Sequence, residues 1–383
     1  MSEQEPSPHL ETSQESVPAS TPEPSEPQSV YTPRLPNPFW GPGGLRTGWS
    51  VLLFFLVTLV ILFGVGSGAK AVLRGLIDFK KDGNVPILAS IGQTIEVIGV
   101  FGAAWICARV ERRRVTDYNL GGSRRLQHFA VGLLAGFAAL SALVGAMAAG
   151  GWLRFGPVAA VTGAVLQAAV LWAIAMLLTG LGEEGAVRCY LLFTLTRGID
   201  LWWAIGLQAA MCLSCIFFVH NEGKWGVYAM TALGLGPVLW LHMRKSQASG
   251  FWQAAWVTST FFGFIHTGNN GENWIGIFGA AAIGFVFCVS VRLTGSAWWA
   301  IGFHSAWNWA ETFFYGTSDS GMAAKGHFLT TTPTGSTLLS GGTDGPEGSL
   351  LIVPLIALAL IAVILVYGRR GESPSPDGLT RLS

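Results

Sequence analysis

The sequence predicts an all-α fold, a polytopic transmembrane helical bundle of about 10 spans. Of its 383 residues, 51% are hydrophobic and only 12% are charged, far below the ~25% charged residues of an ordinary soluble domain. Long stretches between the charged residues are apolar without interruption. They are long enough for membrane helices and lack the alternation of barrel strands, which favours helices.

The uncharged stretches define the individual spans, because a membrane helix needs about 20 mostly apolar residues. One further candidate span contains a single charged residue, Glu96. The candidate spans are residues 47–69, 83–108, 126–153, 155–182, 201–221, 225–243, 246–271, 273–291, 293–310 and 348–368.

Composition divides the chain into six parts. The first is rich in Pro, Ser and Glu and cannot bury enough apolar surface to fold. The predicted parts are a disordered cytoplasmic tail (1–46), N-terminal transmembrane helices (47–158), a central group of helices (159–315), a Gly-rich loop (316–347), a last transmembrane helix (348–370) and a polar tail (371–383).

The positions of Lys and Arg predict the orientation in the membrane. Positively charged loops tend to stay in the cytoplasm, and the densest basic cluster, 109–125, follows the second span. Both termini are therefore expected in the cytoplasm, in a bacterial-type plasma membrane. The net charge of +1 offers no basic surface for nucleic acid, so the expected partners are the lipid bilayer and a membrane-associated protein or peptide.

Three ionisable residues interrupt the apolar segment 155–196. A charge inside a membrane is costly, so such residues indicate a functional site. Glu184 and Arg188 are four residues apart and can pair on one helical face, whereas Glu183 points elsewhere and is left available. The alternative is a helix that ends at the membrane surface with a solvated charge cluster.

Two further polar motifs lie in later spans. His266 follows Phe262 by four residues, and His304 and Asn308 are four residues apart on one helical face. A single His in such a span is more often a packing residue. A carboxylate with two imidazoles, however, is sufficient to activate a water molecule, either through a metal or by general-base catalysis, and an amide can bind an oxyanion.

In this order, Glu183-Glu184-x-x-x-Arg188, Phe262-x-x-x-His266 and His304-x-x-x-Asn308 resemble the three motifs of the CPBP (CAAX protease and bacteriocin-processing, Abi) family of intramembrane proteases, which includes the CAAX prenyl endopeptidase. The resemblance covers about 160–315. It implies a CPBP-like catalytic core over 159–315 and an intramembrane endopeptidase activity.

The resemblance also implies roles for the individual residues. Glu183 would be the general base, His266 would hold the water with it, and His304 and Asn308 would bind the oxyanion, while Arg188 would orient Glu184. Glu183, His266 and His304 could also hold a divalent metal such as Zn²⁺. The alternative is a metal-free, glutamate-dependent reaction.

The chain departs from the family pattern in its spacing. His266 lies unusually far from Glu183 along the sequence, and His220 lies closer but lacks a Phe four residues before it. We expect His266 to be the active-site residue and about 200–250 to be an inserted helical hairpin, which preserves the orientation of all later helices. A helix from about 170 to 196 is needed to bring Glu183 to the depth of His266.

Two other classes of protein use ionisable residues inside a membrane. A transporter or channel could conduct protons or ions along Glu, Arg and His. A non-catalytic scaffold could use the same residues only to satisfy one another. The sequence does not decide whether Glu96, with Gln93 one turn earlier, lines the same cavity or reaches the membrane surface.

Overall fold

A computed structural model describes residues 37–41, 44–78, 81, 84–269, 271–323 and 325–368. The predicted tails, as far as they comprise 1–36 and 369–383, lie outside the described residues. Within the described part, the chain forms a helical bundle with three small two-stranded sheets. The predicted all-α fold is confirmed.

Ten long helical segments can be followed through the described residues. Several contain Gly or β-branched residues, which matter little in an apolar environment where backbone groups must pair within the helix. They are α1 (Thr47–Leu73), α2 (Val85–Glu111), α3 (Arg125–Ala149), α4 (Gly163–Thr196), α5 (Leu201–Phe218), α6 (Lys224–Met243), α7 (Ser249–His266), α8 (Trp274–Thr294), α9 (Trp298–Trp309) and α10 (Ile352–Tyr367).

Seven of the described helices are long and apolar enough to cross a membrane: α1 to α6 and α8. The other three differ for identifiable reasons. Helix α7 carries buried Gln253, Thr258, Ser259 and Thr260, which lower its hydropathy. Helix α9 continues beyond its 12 residues as a π-helix, Ala310–Tyr315, and α10 has 16 residues.

Helix α4 continues past the point where the uncharged stretch ends. Its α-helical part runs to Glu184, a π-helical part follows over Gly185–Leu191, and an α-helical turn ends at Thr196. The expected extension of this helix to 196 is therefore observed. Glu183 and Glu184 lie within a continuous helix, and the solvated helix end considered above does not occur.

The predicted Gly-rich loop, 316–347, contains regular structure. Strands β4 (Ser318–Asp319) and β5 (Met322–Ala323) pair with each other, and β6 (Leu329–Pro333) pairs antiparallel with β3 (Leu153–Val158) before α4. A 3₁₀ turn occupies Pro346–Gly348, so the last helix begins at Ile352 and not at 348 as predicted. The uncharged stretch begins at 348, but Ser349 and the preceding Asp344 are buried in the turn before the helix. The length of an uncharged stretch does not record such a turn.

The predicted disordered tail extended to residue 46, whereas its last residues are ordered. Strands β1 (Trp40–Gly41) and β2 (Gly44–Leu45) pair just before α1. Trp49 anchors this segment, because its indole Nε1 donates to the carbonyl of Pro38 at 3.1 Å and its ring lies 5.0 Å from that of Phe39. The predicted end of the tail at residue 46 was wrong because amino-acid composition does not reveal contacts with the following helix.

Helix α9 lies at the centre of the bundle, against α3, α4 and α8. Glycines permit its close approach to α3. A Cβ on Gly132 would meet the carbonyl oxygen of Trp299, and one on Gly136 would meet that of Phe303. Small residues one turn apart allow backbones to meet in this way in membrane helices.

Helices α5 and α6 form an antiparallel pair where the inserted hairpin is predicted, and they pack on α7 and α8. Polar side chains connect the pair to α7. The Gln208 amide donates to Thr260 Oγ1 at 3.0 Å, and Thr231 donates to Gln208 Oε1 at 3.0 Å. This chain of hydrogen bonds satisfies polar groups that would be costly to leave unpaired in lipid.

Candidate active site

Glu184 and Arg188 form a fully buried ion pair on α4. Arg188 Nε lies 3.1 Å from Glu184 Oε2, and Nη1 lies 3.3 Å from Oε1. The pairing expected from their spacing is confirmed. The guanidinium carbon also lies 4.2 Å from the ring centre of Phe262 and 5.4 Å from that of Phe287, so aromatic faces enclose the cation.

The π-helical segment of α4 begins directly after Glu184. Such segments widen a helix locally and are frequent at functional sites. Its backbone is tied to another part of the chain, because Asn119 Nδ2 donates to the carbonyl oxygen of Arg188 at 2.8 Å. The ion pair therefore lies on a backbone that is held in place from outside the helix.

His304, on α9, lies between the two adjacent carboxylates of α4. Its Nδ1 is 2.9 Å from Glu184 Oε1, and its Nε2 is 3.8 Å from Glu183 Oε2. The sequence predicted the pairing of Glu184 with Arg188 but not the hydrogen bond between Glu184 and His304. One carboxylate thus orients the imidazole, and the other faces the nitrogen on the opposite side of the ring.

His266 is the last residue of α7. Its Nδ1 is hydrogen-bonded to the carbonyl oxygen of Phe262 at 2.7 Å, and the two rings meet edge to face at 4.6 Å. A carbonyl oxygen can only accept, so Nδ1 carries the proton and Nε2 has the free lone pair. Phe262 therefore explains the F-x-x-x-H spacing: it orients His266 and also covers Arg188.

These side chains line one pocket of about 230 Å³, far more than a single water molecule needs. Glu183, His266, His304 and Asn308 all face it. The Asn308 side chain forms no hydrogen bond within the described residues, which leaves its amide available. Aromatic and aliphatic side chains complete the wall: Met176, Phe262, Ile283, Phe287, Phe303, Trp307, Ile352, Leu355 and Ile356.

The alternative histidine, His220, is exposed in the turn after α5 and does not line this pocket. The structure therefore places His266, and not His220, beside the carboxylates. Gln93 of α2 lines the pocket, and the Glu96 carboxylate lies against Gly182, next to Glu183. Both residues of α2 are thus directed toward the site and not toward the membrane surface.

The sequence did not reveal the polar rim of the pocket. Asn269, Asp319, Ser320 and Glu347 line it from the α7–α8 turn and from the segment after α9. Their positions in loop-like sequence carried no helical spacing by which they could be related to the motifs. Only the folding of 316–351 onto the bundle brings Asp319, Ser320 and Glu347 to the site.

The chemistry of Glu183, His266 and His304 suits a metal such as Zn²⁺, because each imidazole has its Nδ1 hydrogen-bonded elsewhere, and Nε2 of His304 faces Glu183. The spacing of these three residues, however, does not suit a metal ion. Among the described residues, the groups of three ligand atoms within 4.8 Å of one another are two acidic triads, and these three residues are not such a group. The arrangement therefore does not surround one ion.

The fold and this site define an integral membrane protein with a buried Glu, His and Asn cluster in an internal pocket. Residues 164–310 match the family described as type II CAAX prenyl endopeptidase Rce1-like. The match covers less than half of the chain and contains all three motifs. No curated protein and no solved structure matches the chain.

Proposed function

We propose that this protein is an intramembrane endopeptidase that hydrolyses a peptide bond of a membrane-associated protein or peptide. The observation that carries the proposal is the placement of His304 between two adjacent carboxylates, inside a pocket within the helical bundle. The match to the Rce1-like family supports the same class of reaction. A protease that acts on soluble substrates does not need an active site inside an apolar helical bundle.

Glu183 is the general base of the proposed reaction. Its side chain is 25% exposed toward the pocket, and its Oε2 accepts no hydrogen bond within the described residues. A water that donates one hydrogen to Glu183 and the other to His266 Nε2 presents its oxygen lone pair to a substrate carbonyl. Glu183 takes a proton from this water as the oxygen bonds to the carbonyl carbon.

Asn308 and His304 face the pocket where the carbonyl oxygen becomes negatively charged. The Asn308 amide can donate to that oxygen, and the imidazole of His304 lies beside it on the same helical face. Collapse of the intermediate breaks the C–N bond. The proton held by Glu183 passes to the departing amine, which returns Glu183 to its carboxylate form.

Arg188 and Glu184 position His304 and do not contact the substrate. The guanidinium holds Glu184, whose Oε1 in turn holds His304 Nδ1. Since both partners of the ion pair are fully buried, neither can turn to solvent. The imidazole is therefore held in one orientation before substrate arrives, which is how such sites avoid reorganisation during the reaction.

Glu183→Gln tests the proposal directly. We expect cleavage to fall by about 10²–10⁴-fold, because the amide cannot take the proton from water. The measurement compares protein termini in membranes that contain the native protein with those that contain Glu183→Gln. Glu222→Gln, an exposed carboxylate in the α5–α6 turn, is the matched control and should cleave normally.

Cleavage that survives in Glu183→Gln would overturn the assignment of the base. A Zn²⁺-selective chelator, used with excess CaCl₂, separates this reaction from one that uses Zn²⁺, because only the zinc-dependent reaction stops. Proton or ion flux in proteoliposomes that is lost in Glu183→Gln, without any cleavage by the native protein, would favour a transporter.

A further inference from the structure

Five carboxylates gather beside the pocket, outside the Glu183 site, and two of them, Asp319 and Glu347, line it. They form two triads that share Glu347, and within each triad the ligand oxygens lie within 4.8 Å of one another. The acidic cluster consists of Glu272, Glu311, Asp319, Asp344 and Glu347.

The acidic cluster joins three separate parts of the fold. Glu272 lies in the α7–α8 turn, Glu311 lies in the π-helix after α9, and the other three lie in the segment before α10. Glu311 and Asp344 are fully buried, and Glu272 is 8% exposed. None of the five forms a salt bridge with Lys or Arg in the described part of the chain.

Hydrogen bonds orient some of the oxygens but leave others without a partner. Trp307 Nε1 donates to Glu347 Oε1 at 2.8 Å, and the backbone N–H of Asn273 donates to Asp344 Oδ2 at 3.1 Å. Neither oxygen of the Glu311 carboxylate accepts a hydrogen bond within the described residues, nor does Asp344 Oδ1. Both residues belong to the triads, in which one oxygen of each carboxylate lies within 4.8 Å of the others.

Such an arrangement is costly unless protons or a cation neutralise it, because buried acceptors without partners lose their hydration. Burial, together with the charge of Glu347, raises the pKa of Glu272 to about 8 and that of Asp344 to about 8. The same causes raise the pKa of Asp319 to about 7. A divalent cation would offset this cost by supplying the missing positive charge.

We propose that the acidic cluster binds Ca²⁺, with Glu347 as the ligand shared by both triads. All the donors are oxygens, which a hard cation prefers, and Ca²⁺ accepts six to eight oxygen ligands in irregular geometry. The cluster contains no His or Cys that would select zinc. On the expected orientation this end of the bundle faces away from the cytoplasm.

An ion in the triad of Glu272, Asp344 and Glu347 connects the segment before α10 to the α7–α8 turn, and an ion in the triad of Glu311, Asp319 and Glu347 connects it to the π-helix after α9. Asp319 and Glu347 also line the Glu183 pocket. The cation therefore holds the rim of that pocket in place. Ca²⁺ binding does not depend on peptide hydrolysis, so it can be measured whether or not the proposed activity is found.

Calcium binding is tested with the purified, chelator-treated full chain in detergent. Terbium is the probe, since it replaces Ca²⁺ at oxygen sites and emits when a nearby tryptophan is excited; Trp307 contacts Glu347 directly. We expect saturable emission that CaCl₂ displaces. Glu347→Gln and Asp344→Asn should each weaken Ca²⁺ affinity by about tenfold or more, because each removes a charged ligand.

Glu222→Gln is the matched control and should bind as the native protein does. Thermal unfolding gives a second measurement: CaCl₂ should raise the melting temperature of the native protein and of Glu222→Gln, but raise that of Glu347→Gln much less. Absence of saturable binding at millimolar CaCl₂ would overturn the proposal. Equal Ca²⁺ affinities in native protein, Glu347→Gln and Asp344→Asn would also overturn it.

Discussion

At the residue scale, the adjacent Glu183 and Glu184 have different surroundings. Glu184 is fully buried between Arg188 and His304, whereas Glu183 faces the pocket. Breaking a buried ion pair by removing one partner typically costs about 3–5 kcal/mol, because the other charge is left uncompensated. Loss of Arg188 would therefore affect folding and activity together, and a milder change is more informative.

Gly284→Ala offers that milder change. A Cβ at this position of α8 would collide with Nη2 of Arg188, whose guanidinium is confined between Phe262 and Phe287. We expect the guanidinium to shift away from Glu184 and cleavage to fall by about 10²-fold, since small displacements of positioning groups have effects of that size. The cleavage rate of the purified variant in proteoliposomes is the measurement.

Gly206→Ala is the matched control for this substitution, because a Cβ on Gly206 meets nothing within 4 Å. It should cleave at the native rate. Native cleavage by Gly284→Ala would show that the position of Arg188 does not affect the site. A fall in kcat with KM unchanged is expected, since Arg188 acts through Glu184 and His304 and does not bind substrate.

Close packing between α3 and α9 positions the third motif at the element scale. Gly132 and Gly136 bring the backbone of α3 against Trp299 and Phe303, which lie five residues and one residue before His304. From the other side, Ser305 lies against Gly180 of α4. His304 is therefore placed by backbone contacts on two faces of α9, which side-chain repacking cannot replace.

Gly132→Ala should destabilise the bundle. The added Cβ would meet the backbone of Trp299 and Phe303, which cannot move without displacing α9, and overpacking of this kind costs about 1–3 kcal/mol. The measurement is the melting temperature in detergent. Gly145→Ala on the same helix, where a Cβ meets nothing within 4 Å, should melt as the native protein does. Equal melting of the two variants would contradict the packing argument.

The pocket combines distant parts of the chain at the scale of the whole molecule. The match to the Rce1-like family ends at residue 310, yet Ile352, Leu355 and Ile356 of α10 form part of the pocket wall. The segment between them is held by pairing of β6 with β3. Helices outside the matched residues thus contribute to the shape of the site.

The number of crossings can be tested by the positions of the two termini. If all ten long helical segments cross the membrane, both termini lie on the same side, and the basic residues favour the cytoplasm. If only the seven helices that meet the length and hydropathy limits cross, the termini lie on opposite sides. Reporter fusions at each end, active on one side of the membrane only, distinguish the two cases; we expect both in the cytoplasm.

The sequence alone predicted much of the site. Pairing of Glu184 with Arg188 followed from their spacing on one helix, and so did the shared face of His304 and Asn308. His220, the alternative to His266, lacks a phenylalanine four residues earlier, and the structure shows that Phe262 contacts both His266 and Arg188. Pairs four residues apart could be predicted because such contacts are local in a helix, whereas the contact of Phe262 with Arg188 joins two helices.

What the sequence by itself determined is the helical membrane fold and the residues of the three motifs, since apolar length, scarce charge and helical spacing are local properties. Only the tertiary structure decided that His304 lies between Glu183 and Glu184, that α10 lines the pocket, and that five carboxylates meet beside it. These arrangements join residues far apart in the chain. Their cause is the packing of whole helices and of the segment folded over them, which no local pattern records.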